Sequence, residues 1–369
     1  MKTFHVPTVI LDIGEDIESL PEVLPINGER LAFITGRKFL DESGLWRRIS
    51  SIFKNFIISR FKVAQTNPPC GVVDECREFL RKTESQMVIA IGGGSVLDVA
   101  KAAAALVGAD YACLDFLLKK RELRKKGLPV IAIPTTTGTG SEVTPFTVFS
   151  YQDTKITLES EFLYPDCAVL LSPPLKFLTG DLLATTVADA LCHALEAFWS
   201  RRANFVSDAF SAESLYRIIS HTLKALDNGD IYHRYELLKA SCLAGLAFSN
   251  TRTTGCHAIS YPLTARWGIP HGQACFFTLL PIMRMNYEAI SAKFDNLTRR
   301  LGFTSFSEFT ESIKHISRYM GLDKRLKDYG VNKEDIEWIA EKSLSPERMA
   351  NNPIELSKDK VKKILMEVW

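Results

Sequence analysis

Histidine is scarce in this chain, with seven among 369 residues, and two of them, His257 and His271, lie in the segment CHAISYPLTARWGIPHG. A third, His193, follows Asp189 by four residues in TTVADALCHALEAF, a segment with helical periodicity. Residues four apart share one helix face, and the surrounding alanines and leucines predict that Asp189 and His193 are buried and need a polar partner. One carboxylate and three imidazoles suit Fe²⁺ or Zn²⁺ better than Ca²⁺ or Mg²⁺.

These residues also have a purely structural interpretation. An Asp and a His four apart are common on helix surfaces. Three cysteines close to them in sequence, Cys192, Cys256 and Cys275, are alternative metal ligands. Buried packing thiols are the commoner case, so we expect the carboxylate and the imidazoles to hold the metal.

Two turns rich in glycine and hydroxyl groups follow apolar strands. In MVIAIGGGSVLDVAK three glycines separate a strand from a helix, and IAIPTTTGTGSEVTPF repeats the arrangement at 131–146. Neither turn is a P-loop or a GxGxxG motif. Either turn alone is equally consistent with a structural tight turn, but two at the carboxyl ends of neighbouring parallel strands predict a site for a nucleotide with more than one phosphate.

The strand LAFITG ends at Gly36 and is followed by Arg37 and Lys38, with no acidic residue before Asp41. An acidic residue at such a strand end binds the ribose hydroxyls of NAD, whereas basic residues accommodate the 2′-phosphate of NADP. We therefore expect NADP(H) to be favoured over NAD(H). The alternative is that both basic side chains are merely solvated.

The elements that position these residues differ between the two halves. Short β-branched runs alternate with helical patterns in the first half, which predicts a parallel sheet with helical crossovers. Predicted strands cover 30–36, 55–61, 86–94 and 128–136, and predicted helices cover 71–82 and 96–107. After about residue 175 the apolar spacing is helical. We expect an α/β dinucleotide-binding domain over 1–172 and an all-helical metal- and substrate-binding domain over 173–369.

Composition excludes several classes of protein. Lys and Arg total 45 against 43 acidic residues, so the net charge of +2 offers no field for nucleic acid or an anionic membrane. We find no signal-peptide pattern and no apolar stretch of membrane-spanning length. Eight cysteines without a CxxC pair predict free thiols, and together these features lead us to expect a cytoplasmic protein.

Four motifs, GGGSVLDVAK, IPTTTGTGSEVT, ADALCHALEAF and CHAISYPLTARWGIPHG, resemble those of the iron-containing (group III) alcohol dehydrogenases in order and separation. The resemblance implies a dehydroquinate synthase-like fold. Separately, apolar residues on helices that look exposed lead us to expect a homodimer. It implies that the metal, most simply Fe²⁺ with Zn²⁺ as the alternative, is bound by Asp189, His193, His257 and His271. The cofactor contacts that it implies are Gly36, Asn67, Gly93, Gly94, Ser95, Asp98, Thr135, Thr136 and Lys155.

The implied reaction interconverts a small aldehyde or ketone and its alcohol. Candidate substrate contacts are Phe146, Arg252 and Tyr261, the last in a position where many members of the family carry a histidine. Arg252 and the run ArgThrThr resemble the phosphonoacetaldehyde reductase branch, so an anionic aldehyde is one alternative substrate, although an arginine in a surface ion pair explains the residue equally well. A metal-dependent lyase of the dehydroquinate synthase type is a further alternative.

Overall fold

Every strand lies in the first half of the described chain. The computed structural model describes residues 3–227 and 229–369. Six strands form one parallel sheet in the order β1-β8-β5-β4-β2-β3, and β6 and β7 form an antiparallel hairpin. Their bounds are β1 Val9–Gly14, β2 Arg30–Gly36, β3 Ile57–Val63, β4 Met87–Gly92, β5 Val130–Pro134, β6 Phe146–Tyr151, β7 Thr154–Glu159 and β8 Cys167–Leu171.

Helices surround the sheet and form almost all of the second half. In the first half they are α1 Leu20–Val23, α2 Phe39–Glu42, α3 Leu45–Ile52, α4 Gly71–Lys82, α5 Gly94–Ala105 and α6 Cys113–Leu117. In the second half they are α7 Gly180–Trp199, α8 Phe205–Asp227, α9 Ile231–Thr251, α10 Gly255–Trp267, α11 His271–Arg300, α12 Phe306–Tyr319, α13 Asp335–Ser343, α14 Pro346–Asn351 and α15 Lys358–Glu367.

Both faces of the sheet are buried. Along β2, Leu31 and Phe33 belong to one apolar core, whereas Ala32 and Ile34 belong to the other, because side chains alternate along a strand. Every residue of β4 and β5 is buried. Continuous burial is typical of parallel strands that have helices on both faces, and it explains why their sequences are unbroken apolar runs.

The predicted fold class, a parallel-sheet α/β part followed by a helical part, is confirmed. The strand predicted over 30–36 and the helix predicted over 71–82 have the predicted bounds. The other predicted strands are shifted or shorter by one or two residues at each end. The helix predicted over 96–107 begins earlier, at Gly94, so the glycine turn is itself part of the first helical turn.

The strands β1, β6, β7 and β8 were not predicted. β1 is an edge strand with the sequence VILDIG, in which Asp12 interrupts a short apolar run and three of the six residues are solvent-exposed. In the hairpin the chain turns at Gln152, whose φ of +50° is unusual for a residue other than glycine or asparagine, and the turn therefore carries no recognisable sequence signal.

No strand follows Leu171 in the part of the chain that the structure describes. The helical region packs around α7. Fifteen residues of this helix are buried, and they include Asp189 and His193. The division into domains at 172/173 stays a prediction. None of the described helices combines the length and the apolar character needed to cross a membrane.

Candidate metal and dinucleotide site

A cleft of about 1890 Å³ lies between the sheet and the helical region. One wall contains Gly36, Gly93 and Thr135, at or just beyond the carboxyl ends of β2, β4 and β5, and the other contains Asp189 and His257. The carboxyl ends of strands in an open α/β sheet are where such proteins bind ligands. The cleft therefore joins the predicted dinucleotide site to the predicted metal site.

The four predicted metal ligands come from three helices and converge on one carboxylate oxygen. Oδ1 of Asp189 lies 3.8 Å from Nδ1 of His193, 3.3 Å from Nε2 of His257 and 3.8 Å from Nε2 of His271. Asp189 and His193 lie on α7, His257 in the first turn of α10, and His271 at the start of α11. The structure thus brings together residues that the chain separates by up to 82 positions.

Pro270 and Gly272 on either side of His271 are typical of a loop or turn, but His271 begins a helix. Pro270 caps α11, and His271 is the first residue of the helix. A Cβ at Gly272 would lie 1.8 Å from the carbonyl oxygen of Thr185 on α7, so only glycine lets α11 begin against α7. The proline and the glycine mark a helix start pressed against a neighbouring helix, which the local pattern does not distinguish from a turn.

Two atoms of this cluster lack the hydrogen bonds that buried polar groups normally have. Oδ1 of Asp189 and Nε2 of His257 are buried and have no hydrogen-bond partner in the described structure. The ring Nδ1 of His193 lies 3.2 Å from the carbonyl oxygen of Gly138, to which it donates in the tautomer that leaves Nε2 free. A borderline divalent cation fits this donor set and would satisfy both orphaned atoms.

Glu196 supports the cluster and was missed from the sequence. Its Oε1 accepts hydrogen bonds from the backbone N–H groups of Thr254 (3.0 Å) and Cys256 (2.8 Å), and its Oε2 faces Nδ1 of His257. Burial opposes ionisation of Glu196, but its interactions with His257 outweigh burial and hold the pKa of the carboxyl below its ordinary value. The available signal was spacing, since Asp189, His193 and Glu196 lie at i, i+4 and i+7 on one helix face.

Cys275 is an additional neighbour of the cluster. Its Sγ lies 3.9 Å from Nε2 of His271, and the ligand atoms of Asp189, His257, His271 and Cys275 lie within 4.8 Å of one another. Among the described residues this group includes Cys275 but not His193, whose Nδ1 lies 3.8 Å from Oδ1 of Asp189. Burial raises the pKa of the Cys275 thiol. Cys192 and Cys256 are part of the apolar core of the helical region.

All of the predicted cofactor residues line the cleft: Gly36, Asn67, Gly93, Gly94, Ser95, Asp98, Thr135, Thr136 and Lys155. The two turns pack directly on one another, because a Cβ at Gly94 would lie 2.7 Å from Cγ2 of Thr139. Asn67 has a φ of +49°, and its backbone N–H donates to Oγ of Ser95 at 3.1 Å. The glycines therefore keep the backbone amides of both turns accessible to a bound phosphate.

Asp98 is engaged with protein groups. Its carboxylate accepts hydrogen bonds from Oγ of Ser141 at 2.6 Å and from the backbone N–H of Val148 at 2.8 Å. Beneath it the buried Lys101 donates to the carbonyl oxygens of Ser141 (2.9 Å) and Phe146 (2.6 Å). Burial lowers the pKa of Lys101 to about 8. Asp98 and Lys101 together position the second glycine-rich turn and the start of β6. Of these two residues, only Asp98 was predicted from the sequence.

The predicted substrate residues line the same cleft. Phe146 stacks on Phe248, which in turn stacks on His193 with ring centroids 4.1 Å apart. Arg252 is the C-cap residue of α9, and it pairs with Glu159 at 2.5 Å and with Glu347 at 3.1 Å. Its charge is therefore already balanced by protein carboxylates.

Arg266, the second arginine near the histidines in sequence, does not line the cleft. It pairs with Asp335 at 3.5 Å and stacks on Trp267 and Trp338. Arg348, which the sequence did not suggest, lines the cleft on α14 and donates to the hydroxyl of Tyr261 at 2.9 Å.

Comparison with known proteins gives matches along nearly the whole chain. A model described as "Iron-containing alcohol dehydrogenase" matches residues 7–172, and one described as "Fe-containing alcohol dehydrogenase family, C-terminal" matches residues 183–369. Long-chain-alcohol dehydrogenase 1 of Geobacillus thermodenitrificans is 32% identical over 352 residues, which cover 91% of this chain and 89% of that protein.

Two further relatives differ in cofactor and substrate. The NADPH-dependent butanol dehydrogenase of Clostridium saccharobutylicum is 27% identical over 379 residues, covering 98% of this chain and 97% of that protein. The crystal structure of sulfoacetaldehyde reductase from Bifidobacterium kashiwanohense in complex with NAD⁺ superposes with a TM-score of 0.94 at 29% identity, covering 100% of this chain and 98% of that one. The chain belongs to the iron-containing alcohol dehydrogenase family, and it is an oxidoreductase of the aldehyde–alcohol type.

Proposed function

We propose that this enzyme interconverts a small aldehyde and its alcohol with NADP(H) as the preferred cofactor and Fe²⁺ as the bound metal. The observation that carries the proposal is the convergence of Asp189 with His193, His257 and His271 across a cleft from two glycine-rich turns. A divalent ion in this donor set supplies Lewis acidity toward a carbonyl oxygen, and the nicotinamide supplies the hydride.

The residues of the cleft hold and orient the reactants. Asp189 is the one anionic ligand in the proposed set, so it would offset only part of the charge of a divalent ion held there. Glu196 fixes the ring of His257 so that its Nε2 faces Asp189, and the carbonyl of Gly138 orients the ring of His193 through Nδ1. Phe248 and Phe146 form an apolar stack beside His193 that excludes water from the site.

Preference for NADP(H) is supported by unpaired basic groups at the end of β2. Arg37 and Lys38 line the cleft, and neither has a carboxylate within ion-pair distance in the described structure. Asp41, the first acidic residue after them, pairs instead with Arg60 at 2.7 Å and Lys62 at 2.9 Å. A 2′-phosphate beside Gly36 would therefore find positive charge.

The test is the oxidation of NADPH and NADH by the purified protein with added Fe²⁺ or Zn²⁺ and a series of small aldehydes. We expect net turnover that chelation of the metal abolishes and that Fe²⁺ restores. Net oxidation of the cofactor also distinguishes this reaction from that of a metal-dependent lyase, which uses the cofactor transiently and leaves its concentration unchanged. Full activity after metal removal would contradict the proposal.

The assembly, domain and compartment assignments are proposals of the same kind. The unpaired edge of β1, with Val9 and Ile10 exposed, supports a homodimer. The end of the sheet at Leu171 and the start of α7 at Gly180 support a domain boundary at 172/173. The eight free thiols support a cytoplasmic location. Light scattering after size-exclusion chromatography tests the dimer directly.

A further inference from the structure

Two arginines line the substrate end of the cleft, and they differ in how their charges are compensated. Arg252 pairs with Glu159 and Glu347. Arg348 has no carboxylate within 4 Å among the described residues, and the adjacent carboxylate of Glu347 is engaged with Arg252 and with Lys119 at 3.6 Å. A guanidinium without a carboxylate partner in a cleft has the charge and the donors to bind an anion.

The contacts of Arg348 are three neutral hydroxyl groups. Its Nη2 donates to the hydroxyl of Tyr261 at 2.9 Å and to Oγ1 of Thr157 at 3.1 Å, and its Nε donates to Oγ1 of Thr253 at 3.4 Å. Each hydroxyl accepts from Arg348 and keeps its own hydrogen for another acceptor, since none of the three donates a hydrogen bond within the described structure. Nη1 of Arg348 is likewise unused.

This donor cluster lies next to the proposed metal site. The guanidinium carbon of Arg348 lies 4.6 Å from the ring centroid of Tyr261, and that ring lies 6.0 Å from the ring of His271, centroid to centroid. Nζ of Lys155 lies 6.0 Å from the same Tyr261 centroid. The Tyr261 ring therefore neighbours both the guanidinium of Arg348 and the ring of His271, one of the proposed metal ligands.

We propose that Arg348, Tyr261, Thr157 and Thr253 bind the terminal sulfonate or phosphonate of a short aldehyde substrate. This inference rests on the aldehyde–alcohol activity proposed above and specifies its substrate class. Hydrogen-bond donors on several sides match the three oxygen atoms of a sulfonate or phosphonate. A planar carboxylate has only two oxygen atoms that can accept from them. The anion-recognition role that the sequence suggested for Arg252 therefore passes to Arg348.

The experiment compares aldehydes of matched shape. Sulfoacetaldehyde and phosphonoacetaldehyde carry the anion, 3,3-dimethylbutanal replaces it by a neutral tert-butyl group of similar size, and succinic semialdehyde carries a carboxylate. For the wild-type holoenzyme we expect the highest kcat/KM with one of the two tetrahedral anions, and the better of the two identifies the group. A preference for 3,3-dimethylbutanal or for succinic semialdehyde would overturn the inference.

Variants of Arg348 test whether this residue binds the anionic group of the substrate. In Arg348→Gln we expect the ratio of kcat/KM for the tetrahedral anion to that for 3,3-dimethylbutanal to fall by about 30- to 100-fold, mainly through KM, because charge-assisted hydrogen bonds are lost. Arg348→Lys keeps the positive charge but loses the planar pair of guanidinium donors, so the ratio should fall less than in Arg348→Gln. The control Arg266→Gln, outside the cleft, should keep the wild-type ratio.

A binding measurement separates recognition from turnover. Isothermal titration of the holoenzyme with ethanesulfonate should show binding that weakens at least about tenfold in Arg348→Gln and is kept in Arg266→Gln. An unchanged substrate ratio or unchanged ethanesulfonate binding in Arg348→Gln overturns the anion site while the proposed dehydrogenase activity stands. Absence of turnover with every aldehyde, neutral ones included, would instead contradict the proposed function itself.

Discussion

Replacing Glu196 by Gln tests how the metal site is held together. Glu196 is fully buried and accepts four hydrogen bonds through Oε1, from the backbone N–H and hydroxyl of Thr254 and from the backbone N–H groups of Cys256 and His257. A glutamine keeps these bonds only if its amide oxygen takes the Oε1 position. Its NH₂ group then faces Nδ1 of His257, which must become an acceptor.

Glu196→Gln should weaken metal binding through the tautomer of His257. With Nδ1 as an acceptor the neutral ring holds its hydrogen on Nε2, the atom that faces Asp189 at 3.3 Å, and has no lone pair there for a metal ion. Loss of a carboxylate that orients a ligating histidine typically weakens metal affinity 10- to 100-fold. That range corresponds to about 1.4 to 2.7 kcal/mol of binding free energy.

The assay is competition for Zn²⁺ between the protein and a chromophoric chelator, with thermal denaturation as the check on folding. Glu142→Gln is the matched control, since Glu142 is also a buried carboxyl, with its pKa raised to about 7 by burial, and makes no hydrogen bond to the proposed ligands. We expect weakened binding in Glu196→Gln and wild-type binding in Glu142→Gln. Affinity within twofold of wild type in folded Glu196→Gln would refute the role assigned to Glu196.

Four further substitutions test other parts of the site. Arg37→Ser should lower the ratio of kcat/KM for NADPH to that for NADH by about tenfold, and an unchanged ratio would contradict the 2′-phosphate assignment. Cys275→Ser should keep full metal content by mass spectrometry, whereas loss of metal would make the thiol a ligand. His271→Ala should lose turnover with little change in melting temperature, so activity near the wild-type level is the contrary result. Gly272→Ala should lower the free energy of unfolding by about 2 kcal/mol, because the new Cβ meets Thr185; equal stability in urea denaturation would count against that contact.

The fold was predictable where the local pattern repeats. β2 and α4 have the predicted bounds because a buried β-branched run and an amphipathic helix each carry a periodic signal over their full length. β1 was missed because Asp12 interrupts its short apolar run, and the hairpin β6–β7 was missed because its turn at Gln152 carries no recognisable signal.

The candidate site was predictable to the extent that its residues are chemically unusual. Asp189 and His193 were selected because a polar group in an apolar helix needs a partner, and His257 and His271 because histidine is scarce in this chain and two lie in one segment. Glu196 escaped notice, since a carboxylate near a helix end is ordinary in sequence, and only the fold shows that it is fully buried beneath His257. Arg348 has no local signal at all, as it lies 77 positions beyond His271.

The sequence by itself determined the family, the alternation of strands and helices, and the chemical types available for a metal and a dinucleotide. Only the tertiary structure decided which charged side chains are neutralised by a partner of opposite charge. Arg252 and Arg348 are equivalent as residue types, but Glu159 and Glu347 neutralise the first and leave the second facing three hydroxyl groups. Charge compensation depends on distances of a few ångströms between elements far apart in the chain, and local sequence patterns do not encode such distances.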